Sequence, residues 1–493
     1  MSLFTRKSVK SSIFSAGGPA SQEGAEGALA AGPASRTPAD WTGAPASSAP
    51  PRNGDRRPPR LPERRGRHRL RLLLAIVMIA LAILTAGGAL FAYFNAAYLF
   101  PGPVPSSGSG LLGDSSSGPF ITPPYTPTQI NALRHLSDHM SYKQLASLYV
   151  ARMSLDEKLG QLIMVEYADD YYSPDLNNMI TNLHAGGVIL YEFQMQSFSQ
   201  TKHDIALMQQ NAKIPLLIST DEEGGPYVHR LSHIYGSRPS AWDIYQSGSV
   251  AYAAQQGHKM AHDLLALGIN VDLAPDVDVM LVPGYDTVTR TFGTTAQDVI
   301  KYAGPFMAAM QQDGLIACIK HYPGGLGNTT EDAHKTLPSD NRSVSQIYST
   351  ELAPYKYFAK APDPSMRPGM IMSTDVLMPA IDPQWPGELS YRFMTQILRQ
   401  EFGYDGVVIT DALYMQGIAQ KWDMPQAAVL ALNAGNDMLL GPTGSAQTLA
   451  MINGLKAALQ DGRLSILRVN EAVTRILALK MQYHLMPAVP PAA

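Results

Sequence analysis

Within KHYPGGLGNTTEDAH, residues 320–334, Asp332 and His334 stand two positions apart on a Gly-rich stretch that begins with Lys320-His321. Histidine titrates near neutrality, and a neighbouring carboxylate can fix its tautomer and stabilise its cation. His334 is therefore a candidate to donate and accept a proton, with Asp332 orienting it. A bare D-x-H pair also arises by chance in surface loops, so its weight depends on its neighbours. Asp411 ends the apolar run GVVIT, where a carboxylate is costly unless paired, hydrogen-bonded or used. Asp221 opens DEEGG, whose glycines let backbone approach a ligand while the acids accept hydrogen bonds from hydroxyls; a solvated turn is the alternative, above all for Glu222. Lys320, His321 and Arg290 in TRTFG supply donors that can hold a neutral polyol or an acetamido sugar without a metal, or else pair with Asp276 and Asp278. There is no HExxH, Cys pair, EF-hand spacing, P-loop or helix-opening G-x-G-x-x-G, so no metal or cofactor is expected.

Eight short apolar or β-branched runs must position these groups: 160–167, 185–191, 214–221, 269–275, 315–322, 369–376, 406–412 and 437–442. Helix-length amphipathic segments alternate with them, at 246–267, 296–313, 390–402 and 444–460, and 466–486 reads as a closing helix. Near-continuous apolar strands separated by helices indicate parallel pairing, and eight such units predict an α/β fold of the (β/α)8 TIM-barrel type. A doubly wound open sheet is the alternative. The polar residues favour the barrel. Asp221, Asp276, Asp278, Lys320, His321, Asp375 and Asp411 all fall at or just beyond the C-terminal ends of runs. A barrel gathers such ends at one mouth, whereas an open sheet spreads them.

The first hundred residues differ in kind. Residues 1–71 carry 13 Lys and Arg against 5 Asp and Glu, a net charge of +8, in an Ala/Gly/Pro/Ser-rich background that predicts a disordered cytoplasmic tail. Residues 72–94 form 23 uncharged residues, enough for a helix to cross a hydrocarbon layer of about 30 Å. Nine arginines between Arg52 and Arg71 precede this span, so the positive-inside rule places the N-terminus in the cytoplasm and the bulk of the chain outside. A tail of 71 residues is unlike a signal peptide, and a basic block beside a span is accounted for by topology and anionic headgroups without nucleic acid. A Pro/Gly/Ser-rich linker, 95–127, leads to the barrel domain at 128–487. Beyond the tail the net charge is −11, which disfavours polyanionic partners, and the single Cys318 excludes an internal disulfide. No obligate protein partner is implied.

KHYPGGLGNTTEDAH resembles the Lys-His, Pro-Gly, Asp-x-His signature of glycoside hydrolase family 3, in its β-N-acetylhexosaminidase branch. SLDEKLGQLIM, GGVILY, DEEGG followed by HRL, INVDLAPDVDV, TRTFG, VLMPAID, FGYDGVVITDALYMQGI and AGNDMLL resemble that family's successive blocks in order, over about residues 140–485. The resemblance implies that Asp411 is the nucleophile, that His334 and Asp332 are an acid/base dyad, and that Asp221, Arg230, Arg290, Lys320 and His321 bind sugar. It further implies retaining exo-hydrolysis of terminal β-N-acetylglucosaminides, from cell-wall or chitin-type fragments, through a covalent glycosyl-enzyme. A β-glucosidase or other exo-glycosidase on the same fold, and an inactive sugar-binding relative, are the alternatives. The chain departs from the family at PGGLG, where the loop is usually shorter, and in DEEGGPYVHRL, which is one residue longer and lacks an early Arg. It departs again at Asp375, where a His is common.

Overall fold

A computed structural model of the chain describes residues 126–284 and 288–489. The predicted tail at 1–71, the span at 72–94 and all but the end of the linker lie outside these residues. Among the described residues no helix is long and apolar enough to cross a membrane.

Eight parallel strands close into a barrel: β1 Ile163–Glu166, β2 Gly187–Ile189, β3 Leu217–Thr220, β6 Val271–Asp272, β7 Ile316–Tyr322, β8 Met370–Ser373, β9 Val407–Ala412 and β10 Met438–Thr443. Each falls inside or within a residue of one predicted run. Closure comes from β1, which pairs with β2 through Met164–Gly187 and with β10 through Ile163–Leu439, so no edge is left open. Two short strands between β3 and β6, β4 Glu222–Gly224 and β5 Val228–His229, form an antiparallel hairpin after β3.

Side chains explain why the helices start where they do. Ser154 caps the helix Leu155–Gln161 and Glu157 reaches back to its backbone N–H, a reciprocal box that satisfies two otherwise orphaned donors. Two predicted helices differ in detail. The segment 246–267 is interrupted, because Gly248 takes a φ of 66° and Ser249 caps a new helix, Val250–Leu267. Arg392–Glu401 is a wider π-type helix, closed by the Phe402 N–H donating to the Ile397 carbonyl five residues back.

The N-terminal end of the barrel is tied by buried charge. Asp437, just before β10, accepts from Arg399, Arg468 and Arg475 at 2.6, 2.8 and 3.2 Å. Burial works against its charge, yet the three guanidiniums hold its pKa down at about 2. Lys480, on the closing helix Ile466–Gln482, is fully buried and donates to Gln161 Oε1 at 2.8 Å and the Gly186 carbonyl at 2.9 Å. Burial lowers its pKa to about 7. A second set of buried charges lies at the C-terminal strand ends.

Candidate active site

A cavity of about 300 Å³ opens among the C-terminal ends of the strands. Asp411 from β9, Asp221 after β3, and Lys320 and His321 from β7 line it, joined by Arg230, Arg290 and His334 from loops. Every predicted site residue except Asp332 thus faces one space, and Asp332 touches it through His334.

The floor is a charge network. Arg290 donates through Nε and Nη2 to the two oxygens of Glu223 at 2.8 and 2.9 Å. Lys320 Nζ bridges Asp221 Oδ1 and Glu223 Oε1, each at 2.7 Å. Burial disfavours charge on Glu223, but Arg290 and then Lys320 outweigh it and hold its pKa well below the carboxylate range. Asp221 is likewise held low against burial by Lys320 and Arg230. Burial also opposes the Lys320 charge, and Asp221 and Glu223 overcome it, raising its pKa. Two cations and two carboxylates therefore remain ionised at neutral pH in fixed positions, a pre-set array of hydrogen-bond donors and acceptors.

His321 adds a second arm. Its Nδ1 lies 2.8 Å from Asp278 Oδ2, and the Asp278 N–H donates to Asp276 Oδ1 at 2.8 Å. Burial lowers the His321 pKa against the pull of Asp276. Asp276, Asp278 and His321 bring ligand atoms within 4.8 Å of one another, close enough to surround an ion. Arg290 already supplies positive charge there, with Nε 4.0 Å from Asp276 Oδ2 and Nη2 3.5 Å from His321 Nε2. A cation would have to share the place with a guanidinium, so the donor set fits a metal poorly.

Asp411 presents one oxygen to the Thr374 hydroxyl at 3.1 Å and the other to the Ala412 N–H at 2.8 Å. Asp375 does not line the cavity. It is buried behind Asp411, 3.4 Å from the same Thr374 hydroxyl. The nearby Glu388 carboxyl is pushed well above the usual range by burial and by Asp375 and Asp411.

His334 sits on the loop after β7. Gly325, with φ of 102°, turns that loop, and Gly327 lies so close to Val279 that a Cβ would meet its carbonyl at 1.9 Å. The Gly327 carbonyl accepts from the N–H groups of Leu281 and Val282 at 2.8 and 3.0 Å, which anchors the loop. Asp332 Oδ1 takes the His334 N–H at 3.0 Å and lies 2.9 Å from its Nδ1, while Lys335 binds Oδ2 at 2.8 Å. Burial raises the Asp332 pKa, and the Lys335 and His334 hydrogen bonds together outweigh it to a net lowering. An ionised Asp332 on Nδ1 leaves Nε2 of the imidazole to exchange a proton in the cavity.

Glu223 is the residue sequence reasoning missed. DEEGG offers three acids of one type, but a strand alternates its faces, so Asp221 and Glu223 turn one way and Glu222 the other. Glu222 is no solvated turn residue: it is fully buried and accepts from the Leu231 N–H at 2.9 Å and pairs with His229. The alternative of pairing with Asp276 or Asp278 holds for His321, which meets Asp278, whereas Lys320 pairs with Asp221 and Glu223 instead.

Residues 154–479 match the Glycosyl hydrolase family 3 N terminal domain. The chain is 30% identical to Beta-hexosaminidase A of Pseudoalteromonas piscicida over 62% of its own length and 55% of that protein's. It is 31% identical to a Beta-N-acetylglucosaminidase/beta-glucosidase of Cellulomonas fimi, over 67% of its length and 58% of the relative's. A glycoside hydrolase family 3 beta-N-acetylglucosaminidase from Paenibacillus superposes with a TM-score of 0.63 at 33% identity, covering 68% of this chain and 63% of that one. The chain thus spans little more than half to two thirds of the length of these proteins.

Proposed function

Because the chain belongs to glycosyl hydrolase family 3, as the match over residues 154–479 shows, we propose that it is a retaining exo-glycosidase acting on terminal β-N-acetylglucosaminides. One observation carries the reading: Asp411 and a His334 fixed through Nδ1 by Asp332 face the same cavity as the ionised Asp221–Lys320–Glu223–Arg290 floor. The floor and His321 hold the terminal sugar through its hydroxyls. An Asp411 oxygen attacks the anomeric carbon as its bond to the leaving oxygen breaks, and His334 Nε2 gives that oxygen its proton. Water then attacks the glycosyl ester, returns a proton to His334 and frees Asp411. Asp221, Arg230, Arg290, Lys320 and His321 bind the substrate and no metal takes part.

The uncharged stretch 72–94, with nine arginines before it, supports a single-pass membrane anchor that holds the barrel outside the cytoplasm, near cell-wall fragments or chitin-type oligosaccharides. The Cellulomonas relative's name motivates a second reading, in which glucosides are also cleaved. Steady-state assays on aryl N-acetyl-β-glucosaminide and aryl β-glucoside, with Asp411→Ala alongside, test both. Turnover of the acetamido sugar that falls by more than roughly 10⁴-fold in the variant is expected. Equal or better turnover of the glucoside overturns the substrate assignment, and no turnover of either by the native chain overturns the activity. Recovery of the full-length chain in the soluble fraction of its own cell would refute the anchor.

A further inference from the structure

The hairpin that follows β3 has two faces, and the catalytic reading uses only one of them. Asp221 and Arg230 line the cavity, and Glu223 braces Lys320 beside it. Glu222 and His229 turn the other way and stand opposite each other in the β4–β5 register. Their side chains are buried, 0% and 5% exposed. His229 Nδ1 lies 2.5 Å from Glu222 Oε1, and its Nε2 lies 2.6 Å from the Gly236 carbonyl oxygen. One ring therefore ties β4 and β5 to the chain that leaves the hairpin.

A neutral imidazole carries one N–H, yet both ring nitrogens of His229 face oxygen. Satisfying both contacts takes two hydrogens on the Glu222–His229 pair, and the second is the proton an imidazole releases near neutrality. The other oxygen of Glu222 already takes the Leu231 N–H at 2.9 Å. Arg238 Nε stands 3.8 Å from Glu222 Oε1 while its Nη2 binds Asp263 on the helix Val250–Leu267 at 2.6 Å. Asp272 of β6 takes the Glu222 N–H at 3.0 Å, and burial pushes its carboxyl well above the usual range. Burial works against the His229 charge, but Glu222 and the Gly236 carbonyl outweigh both burial and Arg238, and its pKa is raised. Loss of the proton sets a nitrogen lone pair against a buried carboxylate oxygen. A hairpin of two strands is marginal by itself, so this side-chain pair is what fixes its cavity face.

Resting on the glycosidase reading, we propose that His229 is a positioning residue which, protonated on both nitrogens, clasps Glu222 to the Gly236 carbonyl and so holds Arg230, Asp221 and Glu223 in place for the sugar. Binding of substrate then weakens in alkali as the clasp gives up its proton. His229 touches no reacting atom and acts through the opposite face of its own hairpin.

The test follows KM and kcat of the full-length chain, native and His229→Gln, on whichever aryl glycoside the native chain cleaves, from about pH 6 to about pH 9.5, a window that opens below the ordinary imidazole value of ~6.5. Glutamine keeps a donor but cannot titrate. At the acid end the variant KM is expected to be about tenfold above the native value, the worth of one hydrogen bond to a charged group. Toward alkali the native KM is expected to climb until the two agree within about twofold, with kcat within about threefold between the two proteins throughout. His334 titrates alike in both, so the comparison cancels its contribution. A KM ratio that stays constant with pH marks a merely structural residue and overturns the proposal, as does a difference confined to kcat; both leave the glycosidase reading in place. If His229→Gln does not fold, His229→Asn carries the same expectation, and a native KM that stays flat toward alkali overturns the proposal without any variant. A native chain that cleaves neither the acetamido sugar nor the glucoside overturns the glycosidase reading and the clasp's role with it.

Discussion

His334 combines a fixed Nδ1 with a side chain that is 63% exposed, so its orientation rests on Asp332 rather than on packing. Replacing His334 with Ala is expected to lower kcat on an aryl N-acetylglucosaminide by ~10²–10⁴-fold, the usual worth of a positioned acid/base. With a strongly activated aryl group, which leaves without a proton, the same variant should show a burst of release followed by slow turnover, because only the second step still needs the base. Stopped-flow absorbance reads both phases, and slow turnover without a burst would place His334 outside the second step. Glu223 works by charge. Glu223→Gln takes from Arg290 its bidentate carboxylate and leaves Lys320 paired with Asp221 alone, and is expected to cost about 3 kcal/mol in urea unfolding at pH 7. The native Glu223 pKa lies below its unfolded value, so its stabilisation is complete above ~pH 4.3 and is lost as pH falls through the lower folded value. The gap between native and variant proteins should therefore narrow in acid, and a gap that widens there would show that Glu223 is not ionised.

Among the elements, the closing helix Ile466–Gln482 does more than cover the barrel's N-terminal end, because Lys480 inserts a cation there. Its folded pKa of about 7 lies below the unfolded value of ~10.4, so the unfolded chain binds more protons between those limits. Stability should rise with pH across that window, by an amount on the order of 4 kcal/mol from this group. Lys480→Met removes the titration but takes the ammonium donor from Gln161 Oε1 and leaves the Gly186 carbonyl with the Leu217 N–H at 3.1 Å, so its sign at one pH says little. The informative quantity is the Tm of the native protein minus that of the variant, which is expected to increase between pH 7 and pH 10. A flat difference would mean that the ammonium keeps its charge at the barrel's end.

At the scale of the whole molecule, the barrel closes on itself within the described residues, and β1 pairs on both sides. A fragment spanning residues 126–489 is therefore expected to unfold cooperatively and to turn over substrate with a kcat within about twofold of the full chain. Circular dichroism melting and the aryl assay check this. A fragment that folds but is inactive would show that residues outside it complete the site.

Much of this architecture is legible in one dimension. Buried parallel strands are apolar on both faces, so eight runs separated by helices announce themselves, and the acids that interrupt them mark the strand ends where Asp411, Asp221 and the Lys320-His321 pair stand. Asp332 and His334 are legible for the same reason, since a local D-x-H pair needs no folding to be adjacent. Other relations depend on chain segments far apart in sequence. Glu223 becomes the counter-ion of Arg290, 67 positions away, and of Lys320 only when β3 and β7 converge on the mouth. Glu166 meets Tyr414 across 248 positions because β1 closes the ring against β10. Residue type and spacing determined the eight strand runs and marked the candidate groups at their ends, while closure of the barrel alone decided which charges pair, because Coulomb and hydrogen-bond energies depend on distance in space and not along the chain.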